Sequence, residues 1–218
     1  MQRTRFEEQL DHLSDETVKL GLQVHQNLGR SIAALLDRDM AYAHYLIQAD
    51  KEINATHKRI VLDSLSMIAT QQPTAGDLRR IAALMEISRE LERMHDYVKG
   101  IGKISVAIGD QPLVPNMVGL LSELAKISTG MLYQAVDAFA KRNAPLAQAI
   151  RHTDDQADAL YDQIYEVMIA YLLENPQEVA CASKLEWAAH NYERVADRSL
   201  NIGEWVVYMV EGTYGKLG

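Results

Sequence analysis

Apolar side chains recur at alternating intervals of three and four residues along almost the whole chain. This spacing places them on one face of an α-helix, and no stretch shows the strict apolar–polar alternation that is typical of a strand. Two clear series are Leu84, Ile87, Leu91, Met94, Val98, Ile101 and Leu185, Ala188, Tyr192, Val195, Ile202, Val206. The pattern therefore predicts an all-α protein.

Short stretches rich in Pro, Gly, Asn and Asp divide the chain into six long helices. The breaks fall at 37–39, 71–76, 109–116, 142–145 and 175–178. They predict helices over 4–36, 40–70, 75–107, 117–141, 144–174 and 177–211. Thr74 is the predicted N-cap of the third helix, because Asp77 follows three residues later as in a capping box.

The second half of the chain repeats features of the first half. Residues 50–54 match residues 154–158, which lie 104 positions later, and residues 92–96 match residues 193–197, which lie 101 positions later. A duplicated three-helix unit explains both matches. We predict two tandem three-helix bundles, over 1–108 and 117–212, with a linker over 109–116 and a C-terminal tail over 213–218.

Composition and charge narrow the classes of function. The chain has 218 residues, of which 48% are apolar and 24% are charged, as in ordinary globular domains. A net charge of -8 argues against direct binding of nucleic acid and is compatible with binding of cations. The single cysteine, Cys181, fits a reducing compartment, and neither a signal peptide nor a membrane-spanning stretch is evident. We expect a cytoplasmic protein that meets membranes only peripherally, through partners.

Acidic pairs at matching positions of the two repeats are the candidate functional residues. Glu92 and Asp96 match Glu193 and Asp197, and residues four apart lie above one another on a helix, where like charges repel. The helical wheel places these pairs off the apolar face. In the last helix, Asn201 and Glu204 extend the same column of oxygen atoms.

A second set of polar pairs lies at the edge of the apolar face in the second and fifth helices. This set comprises Asp50 with Asn54, and Asp154 with Asp158. Antiparallel packing of neighbouring helices would bring each set to the acidic pair of its own repeat. Clustered carboxylates suit hard cations such as Mg²⁺, Ca²⁺, Mn²⁺ or iron, and a bound cation would remove the repulsion.

Other interpretations of these residues stay open at the level of sequence. The acids could form an ordinary solvated helix surface, in which Arg93 or Arg194 pairs with the aspartate three residues further on. The spacing Glu92-x-x-His95 occurs in di-iron carboxylate bundles, so a di-metal helical-bundle oxidoreductase is an alternative function. Such bundles need a second motif of this kind, and the matching position in the second repeat is Ala196.

The duplicated unit, its paired acidic motifs and the segment from Gln72 to Arg79 (QPTAGDLR) together resemble the PhoU family. The resemblance covers essentially the whole chain. It implies two three-helix bundles that carry multinuclear metal sites. It also implies a non-enzymatic negative regulator that links a phosphate ABC transporter to a sensor histidine kinase and keeps phosphate-starvation signalling off when phosphate is plentiful. A homodimer is expected as well.

The resemblance also assigns candidate metal ligands in each repeat. Asn54 stands where an acid is expected, and Lys103 stands opposite Glu204, so the second predicted site is the stronger one. The metal is expected to be a divalent or iron-type ion, with iron, zinc, manganese, magnesium and calcium all open. The predicted ligands are Asp50, Asn54, Glu92 and Asp96 in the first repeat, and Asp154, Asp158, Glu193, Asp197, Asn201 and Glu204 in the second.

Overall fold

A computed structural model describes residues 2–213 and 215, with side chains from Thr4 onward. Within this part of the chain there is no strand, and the prediction of an all-α protein is confirmed. The predicted tail over 213–218 lies mostly outside the described residues. The helices are α1 (Gln2–Leu36), α2 (Met40–Gln71), α3 (Ala75–Ile108), α4 (Pro115–Ala140), α5 (Ala144–Gln148), α6 (Arg151–Glu174) and α7 (Val179–Glu211).

The predicted continuous helix over 144–174 was wrong, because the chain turns at residues 149–150. The backbone tightens there to bonds between residues three apart: the Ile150 N–H donates to the Ala147 carbonyl at 3.3 Å, and the Thr153 N–H donates to the Ile150 carbonyl at 3.0 Å. The Ile150 side chain is fully buried at this turn. The first predicted turn of the last helix is a separate 3-10 turn, Pro176–Glu178, so α7 begins at Val179.

Polar side chains fix the start of the long helices in the first half. The Asp39 carboxylate accepts a hydrogen bond from the Tyr42 N–H at 2.9 Å at the start of α2. At the start of α3, the Asp77 carboxylate accepts from the Thr74 N–H at 3.2 Å and from its hydroxyl at 2.6 Å. The predicted cap at Thr74 is therefore confirmed. These caps set the start of α2 and α3, and hence the height of the acidic pairs along each helix.

Four helices form a central ring, in which α1 packs on α3 and α4, and α7 packs on the same two helices. Outside the ring, α2 lies against α3 and α1, whereas α6 lies against α7 and α4. One continuous apolar core runs through both repeats. A buried hydrogen bond of 2.7 Å between the hydroxyls of Ser31 and Tyr192 also joins α1 to α7. Each repeat thus contributes two helices to the ring and one to the outside.

The contact between α3 and α7 follows the internal repeat. Asn201 in α7 donates to Glu90 in α3 at 3.4 Å. The matching positions, 101 residues away in each case, are Gly100 and Asn191. They also meet, because a Cβ atom on Gly100 would lie 2.9 Å from Nδ2 of Asn191. The repeats are therefore related by an approximate two-fold axis between α3 and α7, and each acidic cluster lies between a ring helix and its outer helix.

Candidate metal centre

The second repeat brings carboxylates from α6 and α7 together. Asp158, Glu193 and Asp197 each offer an oxygen atom, and these three atoms all lie within 4.8 Å of one another. Asp158 is exposed, whereas Glu193 and Asp197 are half-buried. Asp154 precedes Asp158 by one turn of α6, and its Oδ1 is buried without a hydrogen-bond partner among the described residues. We call these four residues the second acidic cluster.

Mutual repulsion and partial burial disturb the titration of the second acidic cluster. Burial, and then the charge of Asp197, raise the pKa of Glu193 to about 7. Burial, and then the charge of Asp158, raise the pKa of Asp154 to about 6. Burial and the charge of Asp197 raise the pKa of Asp158 as well. The folded chain therefore holds these carboxylates at a cost in free energy, which a bound cation would remove.

Basic side chains compensate this cluster only at its rim. Arg194 forms a short ion pair with Asp197 one turn away on α7. His190 Nδ1 lies 3.7 Å from Glu193 Oε2, too far for a hydrogen bond, and that oxygen is buried without a hydrogen-bond partner among the described residues. The centre of the second acidic cluster thus lacks a built-in cation in the part of the chain that the structure describes.

The last two predicted ligands of α7 are placed differently. The Asn201 side-chain amide donates to Glu90 in α3, at the boundary between the repeats. Glu204 lies nearly two further turns from Asp197 along α7, half-buried. Glu204 is not among the carboxylates whose oxygen atoms converge within 4.8 Å. Glu204 therefore lies outside the compact group of carboxylates, and the roles of Asn201 and Glu204 as metal ligands stay predictions.

The first repeat has the same layout with a lysine at its centre. Lys99 Nζ donates to Asp50 Oδ2 at 2.6 Å and lies 3.8 Å from Asp96 Oδ1. Asn54 Nδ2 donates to the same Asp50 oxygen at 3.2 Å. Burial and the charge of Asp96 raise the pKa of Glu92. We call Asp50, Asn54, Glu92 and Asp96 the first acidic cluster, and Lys99 supplies its positive charge.

Lys99 is a charged residue at the centre of the first acidic cluster that the sequence pattern did not predict. It lies seven positions after Glu92, hence two turns further along the same face of α3. Its counterpart in the second repeat is Leu200. A comparison of the two repeats at this position would have revealed the additional positive charge in the first repeat. Lys103, which sequence reasoning did name, is an exposed residue one turn further on.

His95 belongs to a buried hydrogen-bond network rather than to an open site. Its side chain is fully buried, and its Nε2 lies 3.0 Å from Asn27 Nδ2. Asn27 Oδ1 accepts from the Tyr42 hydroxyl at 3.2 Å. The Nδ1 atom of His95 points to Asp50 Oδ1 at 3.6 Å. Because the amide of Asn27 donates to Nε2, that nitrogen has no lone pair left for a metal.

Comparison with known proteins agrees with this architecture. The sequence model of the PhoU family, described as the PhoU domain, matches residues 17–105 and again 121–206. The "Phosphate-specific transport system accessory protein PhoU homolog" of Rhizobium meliloti (strain 1021) is 30% identical over 207 residues, which are 95% of this chain and 87% of that protein. The "Phosphate-specific transport system accessory protein PhoU" of Escherichia coli (strain K12) is 29% identical over 208 residues, which are 95% of this chain and 86% of that protein.

Two solved structures share the fold. The crystal structure of PhoU from Pseudomonas aeruginosa superposes with a TM-score of 0.92 at 26% identity and covers 95% of this chain and 100% of that one. The phosphate transport system regulatory protein PhoU from Streptococcus pneumoniae gives a TM-score of 0.88 at 27% identity, with 96% and 99% covered. The two regions that the PhoU family model matches, 17–105 and 121–206, correspond to the two repeats that the internal sequence matches predicted. The chain belongs to the PhoU family.

Proposed function

We propose that this protein is a metal-binding accessory regulator of phosphate-specific transport. It negatively regulates phosphate uptake and phosphate-starvation signalling by linking a phosphate ABC transporter to a sensor histidine kinase. The observation that carries the metal-dependent part is the second acidic cluster, where three carboxylates converge without an internal cation. The transport role is supported by relatives that are named as accessory proteins of phosphate-specific transport.

Asp158, Glu193 and Asp197 would hold the metal, with Asp154 as a further ligand from the next turn of α6. The donor atoms are all oxygen, which suits magnesium, calcium, manganese or iron better than zinc. When bound, the ion supplies positive charge that offsets the repulsion between the carboxylates. The chain contributes binding and positioning, and we assign it no catalytic step.

Metal binding would fix the position of α6 against α7. Ligands from both helices converge on one ion, so occupancy ties the N-terminal half of α6 to the ring. The rest of α6 presents exposed apolar side chains on one face, at Tyr165, Ile169 and Leu173. A metal ion would thereby control a surface that is suited to a protein partner.

The setting proposed for this role is the cytoplasm. Among the described residues, no helix combines the length and the apolar character needed to cross a bilayer. We propose that the chain acts as a homodimer and meets the membrane only through the transporter and the kinase. Direct binding of nucleic acid is not part of the proposal, given the net charge of -8.

The proposal is tested in cells that lack their own PhoU-family protein and carry a phosphate-starvation reporter. Expression of the wild-type chain in phosphate-rich medium should silence the reporter and reduce phosphate uptake. The variant Glu193→Gln/Asp197→Asn should retain less metal by elemental analysis and should leave the reporter active. Glu123→Gln, an exposed acid on α4, is the control. If the variant loses its metal and still silences the reporter, metal dependence is wrong.

A further inference from the structure

Lys99 occupies the place in the first acidic cluster where a cation would otherwise be bound. Its ammonium is 2.6 Å from Asp50 Oδ2, in a carboxylate that is only 5% exposed, and it is also within ion-pair distance of Asp96. This contact places a lysine ammonium, which is positively charged at neutral pH, among the carboxylates of the first acidic cluster. Asp50 Oδ2 is therefore already engaged, since it accepts from both Lys99 and Asn54.

The second acidic cluster differs at two matching positions. Leu200 replaces Lys99, and Asp158 replaces Asn54. The first cluster thus combines three carboxylates with one ammonium group, whereas the second combines four carboxylates with none. Both clusters keep the peripheral arginine, Arg93 or Arg194, so the arginines do not account for the difference.

We propose that Lys99 is a built-in cation that closes the first acidic cluster to metal ions and confines metal binding to the second repeat. This inference rests on the metal-binding part of the proposed function. Hard cations need oxygen ligands at about 2.0–2.6 Å, so an ion in the first cluster would have to take the position of the Lys99 ammonium. Two cations cannot share Asp50 Oδ2 without strong repulsion, and withdrawal of Lys99 would leave its charge without that partner.

As a consequence, the two similar three-helix repeats have different roles. The first repeat keeps α2 fixed on α3 through a permanent ion pair, whatever the metal concentration. The second repeat holds α6 on α7 through a site that an ion can enter and leave. The PhoU domain that matches residues 121–206 is then the metal-responsive half of the chain.

Titration of Mn²⁺ into chelator-treated, full-length protein tests this inference, with bound metal counted by elemental analysis. Glu92→Gln/Asp96→Asn should leave the number of bound Mn²⁺ ions unchanged. Lys99→Leu/Asn54→Asp, which copies the second repeat into the first, should add a second binding event and about double the bound metal. Lys103→Leu removes an equal charge from an exposed position on α3 and should add none.

Thermal unfolding supplies a readout that is independent of stoichiometry. Without metal, Lys99→Leu/Asn54→Asp should unfold at a lower temperature than the wild type, and Mn²⁺ should restore more stability to it than to Lys103→Leu. Loss of Mn²⁺ in Glu92→Gln/Asp96→Asn would overturn the inference. The absence of any gain in a folded Lys99→Leu/Asn54→Asp variant would overturn it as well.

Different experimental results would refute the proposed function and this inference. If the wild type binds Mn²⁺ and Glu193→Gln/Asp197→Asn binds it equally well, the assignment of the second acidic cluster is wrong. If the wild type binds none, the metal-dependent part of the proposed function fails. In that case a gain of binding in Lys99→Leu/Asn54→Asp still supports Lys99 as the group that closes the first cluster, and no gain refutes it.

Discussion

Replacing Glu193 with glutamine should stabilise the metal-free protein at alkaline pH. Glu193 is half-buried beside Asp197 and Asp158, and its Oε2 accepts no hydrogen bond from the described residues. Glutamine has nearly the same shape and carries no charge. The substitution therefore removes the repulsion between Glu193 and its acidic neighbours and leaves the packing between α6 and α7 intact. It also removes a proposed metal ligand, so the comparison is made without metal.

The size of the effect follows from the pKa of Glu193, which is raised from 4.5 to about 7. A pKa shift of one unit corresponds to about 1.4 kcal/mol. For a fully buried carboxylate, the shift of Glu193 would therefore lower the free energy of unfolding by about 3 kcal/mol once the group is charged. The side chain is partly open to water, and solvent screening reduces the gain to about 1–2 kcal/mol. Because the folded state holds the proton more tightly, the contribution of Glu193 to stability is fully present below pH 4.5 and is lost as the pH rises from there through about 7. The advantage of Glu193→Gln should grow over that same range.

Thermal unfolding followed by circular dichroism, with chelator present, measures this difference at pH 5 and at pH 8. For a chain of this length, about 1–2 kcal/mol corresponds to a rise of roughly 2–8 °C in Tm at pH 8, with a smaller rise at pH 5. Glu123→Gln on the exposed face of α4 should show neither effect. A Glu193→Gln variant that is less stable than the wild type at pH 8 would refute the idea of uncompensated repulsion.

Three further predictions concern packing, an ion pair and pH. Gly102→Ala should cost about 1–3 kcal/mol in urea unfolding, because the new Cβ would lie 2.8 Å from the Ala43 carbonyl oxygen; Gly119→Ala, with nothing within 4 Å, should be neutral or stabilising. Arg198→Ala should cost about 3 kcal/mol in the same assay, since it removes an ion pair of 2.7 Å to a carboxylate that is only 5% exposed. The Mn²⁺ affinity measured by calorimetry should fall about tenfold from pH 8 to pH 6, because protons compete for Glu193.

Most of the fold could be predicted because its signals are local. Helical periodicity, turn residues and the Thr74 cap each depend on a few neighbouring positions, and the internal repeat needs only a comparison of the chain with itself. The turn at Ile150 was missed because no Gly or Pro marks it. A buried isoleucine at a tight turn reflects packing against the rest of the core, which the local pattern does not contain.

The candidate site was predictable in its residue types but not in its charge balance. The internal repeat correctly placed Asp158, Glu193 and Asp197 together. Whether Asp50 faces a metal or a lysine depends on the rotation of α2 against α3, because 49 residues separate Asp50 from Lys99. The contact of Asn201 with Glu90 depends in the same way on the packing between the repeats. Such contacts over long separations are settled by tertiary packing.

The geometry of α7 connects the second acidic cluster to the first repeat. Asp197 belongs to the cluster, and the adjacent Arg198 donates to Glu90 on α3 at 2.7 Å. Arg198 also donates to the Tyr97 hydroxyl at 3.3 Å. A shift of α7 on metal binding would therefore strain these partly buried hydrogen bonds to α3, so α3 would either move with α7 or hold α7 in place. Because Lys99 holds α2 on α3 permanently, we expect α3 to hold α7 in place. Metal binding should then mainly move the outer helix, α6.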